Sequence, residues 1–193
     1  MSAASLHRSA VEMLTGWSTT DPHQDSMRHT VLAFLAARAD ACLRACAPGH
    51  LTASTMILDH TGDFALLTLH PRVGAWIQVG GHCEPEDDGI ADAAMREATE
   101  ESGIAGLTLS REPIALHTHP ITCSLGVPTR HLDVRFLGVA PPGPDGGLPE
   151  IIRSDESVDL RWWPVDALPE GTHHAEMAAL VAAARRAKGL SPA

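Results

Sequence analysis

The sequence predicts a layered α/β domain preceded by an N-terminal helical extension. Apolar residues recur at helical spacing ahead of residue 50, short apolar runs broken by turn residues follow from Leu51, and a helix-like segment over 90–102 interrupts those runs.

Residues 3–16 are expected to form a short helix ending near Gly16. Asp21-Pro22 gives an N-cap followed by proline at the first helical position. A longer helix carrying Val31, Leu32, Phe34, Leu35, Cys42 and Leu43 should then run to about Ala47, where Pro48-Gly49 stops it. Strands are expected at 51–58, 64–69 and 75–79, separated by Asp59–Asp63 and by His70-Pro71. The helix over 90–102 starts from Asp88 or Gly89 and ends at Gly103. Strands near 107–118 and 131–140 follow, then an exposed loop over 141–147, a last strand over 157–163, and a helix capped by Thr172 that runs through Lys188. Residues 1–50 are the helical extension and 51–193 the α/β domain.

The chain has 193 residues, enough to bury a core, and its 44% hydrophobic and 20% charged composition is ordinary for a globular protein. With 24 acidic against 14 basic side chains the formal net charge is −10, which argues against a broad nucleic-acid surface or an anionic membrane as partner. The apolar run over 31–37 is stopped by Arg38 and is too short to span a bilayer. The first residues lack the apolar stretch of a signal peptide, so the expected location is the cytoplasm. Cys42, Cys46, Cys83 and Cys123 form no disulfide framework and are expected as reduced, mostly buried thiols.

The chemistry concentrates in Gly80–Ile104, GGHCEPEDDGIADAAMREATEESGI. On a helix Glu97, Glu100 and Glu101 share one face and repel one another unless a cation sits among them. A hard divalent cation such as Mg²⁺ takes oxygen ligands of this kind. A solvated acidic face is the commoner use of Glu-x-x-Glu-Glu. Here the paired glycines, Arg96, Gly103-Ile104 and the strand–loop–helix setting weigh against that use.

Those residues resemble the Nudix box, in which a glycine and a loop acid precede a helix ending Arg-Glu-U-x-Glu-Glu-x-Gly-U, with U a bulky aliphatic. Arg96, Glu97, Glu100, Glu101, Gly103 and Ile104 stand at the family spacing, and the strand order extends the resemblance over roughly 51–170. Counted from Gly81 the loop acid falls on Asp87, and counted back from Arg96 it falls on Asp88. One residue is therefore inserted, aspartate replaces the family's glutamate, and Asp88 is the expected partner of Arg96 because the helix fixes that spacing. Ala98 also stands at a usually bulky position, and Val79 where many members have proline.

The resemblance implies an α/β/α sandwich around a mixed sheet, with Mg²⁺ or Mn²⁺ held by Glu97, Glu100, Glu101 and the Gly80 carbonyl. It implies that Arg96 orients the glutamates and that water attacks phosphorus in a nucleoside diphosphate linked to another group, or in a nucleoside triphosphate. Glu156, ahead of Trp162, stands where some members place a further glutamate, a fourth ligand or general base; otherwise it is a polar loop residue.

There are 12 histidines. His117 and His119 share one strand face; His131, Asp133 and Arg135 share another, opposite Leu132, Val134 and Phe136. Such rows either line a phosphate or sugar cleft or form the exposed side of a strand. Arg72 is a candidate phosphate contact or a surface arginine, and Trp76, Trp162 and Trp163 are core residues or a base-stacking wall. The expected function is thus a Mg²⁺-dependent pyrophosphohydrolase acting on a nucleotide derivative. The alternative is a catalytically inactive ligand-binding or regulatory module of the same fold. The helical extension is a candidate surface for a partner or a homodimer.

Overall fold

The structure, a computed structural model, describes residues 2–122 and 126–191. Two helices come first, α1 (Ala3–Gly16) and α2 (Pro22–Ala37). Ser2 and Ser5 cap α1 reciprocally, each hydroxyl accepting from the other's backbone N–H at 3.0–3.3 Å. Asp21 caps α2 by accepting from His23 N–H at 2.8 Å, with Pro22 at the first helical position.

α2 ends at Ala37, not near Ala47. Arg38 leaves the helix at φ −136°, and its guanidinium grips Asp40 at 2.8 and 2.7 Å. Tight turns follow, in which Ala41, Leu43 and Cys46 bond back to Arg38, Asp40 and Leu43. These turns bury Ala41, Cys42 and Cys46. Cys42 and Cys46 therefore do not lie on a helix, although they and Cys83 are the buried free thiols expected. Cys123 lies outside the described residues.

The remaining elements are β1 (His50–Leu58), β2 (Phe64–His70), β3 (Ala75–Ile77), β4 (Val79–His82), α3 (Ile90–Ser102), β5 (Thr108–Leu109), β6 (Ala115–Thr122), β7 (Pro128–Val139), β8 (Asp159–Pro164) and α4 (His174–Ala187). The run over 75–79 is split at Gln78, and the segment over 107–118 contributes to two strands. His173, not Thr172, caps α4, because the Thr172 hydroxyl donates to the Pro169 carbonyl at 3.0 Å.

β1 organises the sheet: it runs antiparallel to β2 and β4 and parallel to β7. β7 in turn carries β5 and β6, and β2 carries β3 and β8, all antiparallel, so the sheet is mixed. Every residue of β1 is buried, as befits a strand covered on both faces. On one face Thr55 donates to the Ala94 carbonyl of α3, and Ile57 packs with Val79 and Ala98. On the other, Met56 and Leu58 pack under Met177, Leu180 and Val181 of α4. The α/β/α layering is therefore observed.

Leu6 and Leu14 of α1 and Val31 and Leu35 of α2 lie in one apolar cluster with Leu51 and Ile90. Burial of each such side chain stabilises by about 1.5–3 kcal/mol, so the N-terminal helices are integral to the core. No helix among the described residues is long and apolar enough to cross a membrane.

Beyond the reach of α4, the same sheet face turns polar. It presents His50, Thr52 and Ser54 from β1 and His131 and Asp133 from β7, joined by the parallel pairing of the two strands. These residues are buried, so the exposed-strand alternative for the β7 polar row does not hold.

Candidate active site

The site begins where β4 hands over to α3. Gly103 ends α3 at φ +66°, in the left-handed region where glycine is unstrained. Gly81 answers a different need: a Cβ there would lie 2.7 Å from the carboxylate of Glu97. The bare backbone lets that carboxylate lie over the strand, which brings Glu97 of α3 close to β4. Gly80 N–H, one residue earlier, donates to Glu101 Oε2 at 3.2 Å. The two glycines thus position two of the three glutamates.

Arg96 organises the loop between strand and helix. Its Nε and Nη2 donate to the two carboxylate oxygens of Asp87, each at 3.0 Å, and Nη2 also reaches the His82 carbonyl at 3.0 Å. Nη1 donates to Glu97 at 3.0 Å and to Glu100 at 3.3 Å. The partner of Arg96 is therefore Asp87, not Asp88. Asp87 also accepts from Glu84 N–H at 2.7 Å, which closes the loop into a turn, whereas Asp88 is exposed. The loop acid keeps its register from Gly81, and the inserted residue falls between Asp87 and the helix, where the chain absorbs it at Asp88-Gly89.

The charges are unbalanced. Burial pushes the Asp87 carboxyl up, but the Arg96 hydrogen bonds and Glu84 N–H hold it below its ordinary value. Burial raises Glu97 in spite of Arg96. Glu101, 6% exposed, is pushed up to about 8 by burial, and Glu97, Glu156 and Glu100 add to the shift by repulsion. Among the described residues its one hydrogen bond comes from Gly80 N–H. A buried carboxylate facing other carboxylates, with one weak donor, fits a hard divalent cation. Glu97, Glu100 and Glu101 are the residues able to hold it.

Glu156 shares a cleft with them. Glu97, Glu100, Glu101, Arg96 and Glu156 line a cleft of about 210 Å³. The loop carrying Glu156 is tied to the end of α3, where Ile152 N–H donates to the Ser102 carbonyl at 2.7 Å. This cleft adjoins a larger one of about 390 Å³, to which Glu101, Glu156, Arg72, His119, His131 and Asp133 contribute.

Arg135 lines neither cleft. Its guanidinium is taken up by Asp133 at 2.9 Å and by Glu176 of α4 at 2.7 Å, leaving the side chain 6% exposed. Asp133 accepts further from Thr52, Ser54 and Gln78 at 2.8–3.3 Å. Burial opposes its ionisation, but Arg135 and those donors hold it below its ordinary value. Arg135 is thus removed from the substrate-binding set as a consequence of its own ion pairs. The tryptophans behave as core residues: Trp76 and Trp163 meet edge to face at 5.3 Å in the α4 cluster, and Trp162 packs with the α3 cluster.

Sequence reasoning missed Arg44, His82 and Gln78. Arg44 lines both clefts and donates to His82 Nδ1 at 3.0 Å. Its expected place on a continuous helix concealed it. His82 and Gln78 flank the glycines, and that proximity was the available signal.

The NUDIX domain family matches residues 48–184, and the chain belongs to the Nudix family. No curated protein matches it. Among solved structures it is similar to a NUDIX-family hydrolase from Clostridium perfringens, at 23% identity and TM-score 0.53 over 71% of this chain and 97% of that one. It is also similar to an Ap4A hydrolase of C. elegans, at 23% identity and TM-score 0.50 over 72% and 94% of the two chains. At these identities the likeness is one of fold.

Proposed function

We propose that the protein cleaves a pyrophosphate bond in a nucleoside diphosphate linked to another group, or in a nucleoside triphosphate, with Mg²⁺ or Mn²⁺ held by Glu97, Glu100, Glu101 and the Gly80 carbonyl. The observation that carries this reading is the convergence of Glu97, Glu100 and Glu101 with Glu156 on one small cleft opening into a larger polar one. The bound ion would neutralise phosphate charge and lower the pKa of a bound water. Glu156 accepts the proton of the attacking water, and the anhydride P–O bond breaks with its electron pair leaving on the departing phosphate. Arg96 holds Glu97 and Glu100 in place without touching substrate. Arg72, His119 and His131, which line the larger cleft, bind the phosphates or sugar. Its volume lies within the range of small-molecule sites. The similar C. elegans protein is an Ap4A hydrolase, which makes dinucleoside polyphosphates a first choice for a substrate panel.

The inactive-module alternative drew on the inserted residue and the aspartate of the loop. Asp87 engages Arg96 with both carboxylate oxygens in spite of them, which favours the enzymatic reading. The test is a panel of nucleotide derivatives with Mg²⁺ or Mn²⁺, run with wild type and Glu101→Gln. Turnover in wild type and its collapse in the variant are expected. No product from any substrate would sink the enzymatic reading, and full activity of Glu101→Gln would sink the metal assignment.

A further inference from the structure

Three histidines form a triangle on the polar face of the sheet, beside the glutamate cleft that His82 also lines. His50 opens β1, His131 pairs beside it on β7, and His82 ends β4. The ring centroids of His50–His82, His50–His131 and His82–His131 lie 5.1, 5.0 and 5.0 Å apart. One nitrogen from each ring falls within 4.8 Å of the others. Tetrahedral zinc at Zn–N of about 2.0–2.1 Å needs nitrogens about 3.3 Å apart, so an ion bound here would draw the three rings together.

The hydrogen bonds prepare the lone pairs. His50 Nδ1–H donates to the Cys46 carbonyl at 3.3 Å, which leaves Nε2 as the acceptor nitrogen. That is the outer-shell arrangement that fixes metal-binding histidines elsewhere. His50 is wholly buried and His131 is 9% exposed, yet the Nε2 atoms of both lack a hydrogen-bond partner among the described residues. A buried polar atom without a partner costs stability unless something ligates it.

We infer that His50, His82 and His131 form a second metal site, selective for a transition ion such as Zn²⁺, with its fourth position open to the larger cleft. Imidazole nitrogens suit zinc, whereas the carboxylates of α3 suit magnesium or manganese. His82 and His131 line the larger cleft, so a water or an anionic oxygen completes the shell from there. Arg44 guards the site. Its Nη2 donates to His82 Nδ1 at 3.0 Å, so ligation through that nitrogen displaces it. Ligation through Nε2 instead puts the proton of the neutral ring on Nδ1, facing the guanidinium. Either way the Arg44 guanidinium, exposed at the mouth of the cleft, moves off that nitrogen.

The test uses the full chain, stripped with a chelator and titrated with Zn²⁺ alone in competition with a fluorescent zinc indicator. One tight site is expected, with affinity unchanged by millimolar Mg²⁺ and kept in Glu101→Gln. His50→Gln combined with His131→Gln weakens it by about 100-fold, and Arg44→Met tightens it by about 10-fold. Co²⁺ in place of Zn²⁺ gives tetrahedral bands without thiolate charge transfer. Equal affinity in wild type and the double variant, or a thiolate signature from Cys46 or Cys83, overturns the inference. If circular dichroism shows the double variant unfolded, anomalous scattering from Zn²⁺-soaked wild-type crystals decides: a peak among the three rings supports the site, and its absence there overturns it. These readouts are of binding, so they stand whether or not the hydrolysis assay succeeds.

Discussion

Arg96 clasps Asp87 with two parallel hydrogen bonds of 3.0 Å and, with the same guanidinium, reaches Glu97 at 3.0 Å. The loop ahead of α3 and the glutamate-bearing face of α3 are therefore joined through one planar fork, a geometry lysine cannot reproduce. Because Asp87 is 7% exposed, its removal leaves Arg96 short of its principal partner in a partly desolvated setting.

Asp87→Asn is expected to destabilise the fold by about 1.5–3 kcal/mol, the scale of hydrogen bonds to charged groups, and to lower hydrolysis as Glu97 drifts. Asp88→Asn should stay within about 0.5 kcal/mol of wild type, as an exposed substitution does. Urea unfolding of the two variants side by side distinguishes the registers. Equal losses would mean that Asp87 is not the anchor.

Gly81→Ala separates the site from the fold. The backbone there tolerates alanine, since Gly81 is not among the glycines with positive φ. The new methyl would lie 2.7 Å from the Glu97 carboxylate, the flexible end of a side chain that moves aside at small cost. Near-native unfolding midpoints are expected, with Mn²⁺ affinity reduced on the order of 10- to 100-fold. Electron paramagnetic resonance of Mn²⁺ binding measures it, and unchanged affinity would show that Glu97 does not need to lie over the strand.

The elements with strong local signals were legible in the sequence, while features fixed by long-range contacts were not. The α3 boundaries follow from Gly89 and Gly103, and the strands from their short apolar runs, because local chemistry sets them. The end of α2 was missed because the Arg38–Asp40 pair and the burial of Cys46 prevail over a continuous helical pattern. The glutamate face was readable from helical periodicity alone. The fate of Arg135 was not, since Glu176 lies 41 residues away in sequence and no local pattern announces that contact. For the same reason His50, His82 and His131 meet only once β1 has paired with both β4 and β7.

Arg135→Met tests that long-range network. The substitution leaves Asp133, 4% exposed, without its cationic partner, a loss on the order of 3–5 kcal/mol for a buried pair broken on one side. Pairing it with Asp133→Asn should recover part of the loss, because the uncompensated charge is gone. Thermal unfolding of the single and double variants reads this out, and additive losses would argue against direct coupling.

The turn between β1 and β2 predicts an acid limb. Asp59, 2% exposed, accepts from the N–H groups of Thr61, Gly62, Asp63 and Phe64 at 2.9–3.0 Å. Burial pushes its carboxyl up, but the Thr61 hydroxyl and these amides hold it below the ordinary value of 3.8. The unfolded chain therefore binds the proton more readily, so this stabilisation is present above 3.8 and is lost as pH falls through the folded value. Asp59→Asn should be less stable than wild type at neutral pH, with the difference shrinking as pH falls below 3.8. Urea midpoints across that range measure it, and a gap that stays constant with pH would rule out ionisation as its source.

Glu156→Gln tests whether the loop glutamate moves a proton or holds a metal. Glu156 is exposed and lines both clefts, and its charge is felt by Glu97 and Glu101. As a proton acceptor its loss lowers kcat by about 100- to 10,000-fold and leaves metal affinity nearly unchanged, since glutamine keeps an oxygen but accepts no proton at neutral pH. As a ligand its loss weakens Mn²⁺ binding, and excess metal restores the rate. The proton-acceptor role is the expected outcome, because in the proposed reading Glu97, Glu100 and Glu101 supply the carboxylate ligands from one helix while Glu156 reaches the same cleft from a separate loop. Metal-titrated kinetics of this one variant distinguish the two, and recovery of activity in excess Mn²⁺ would reassign Glu156 to the metal shell.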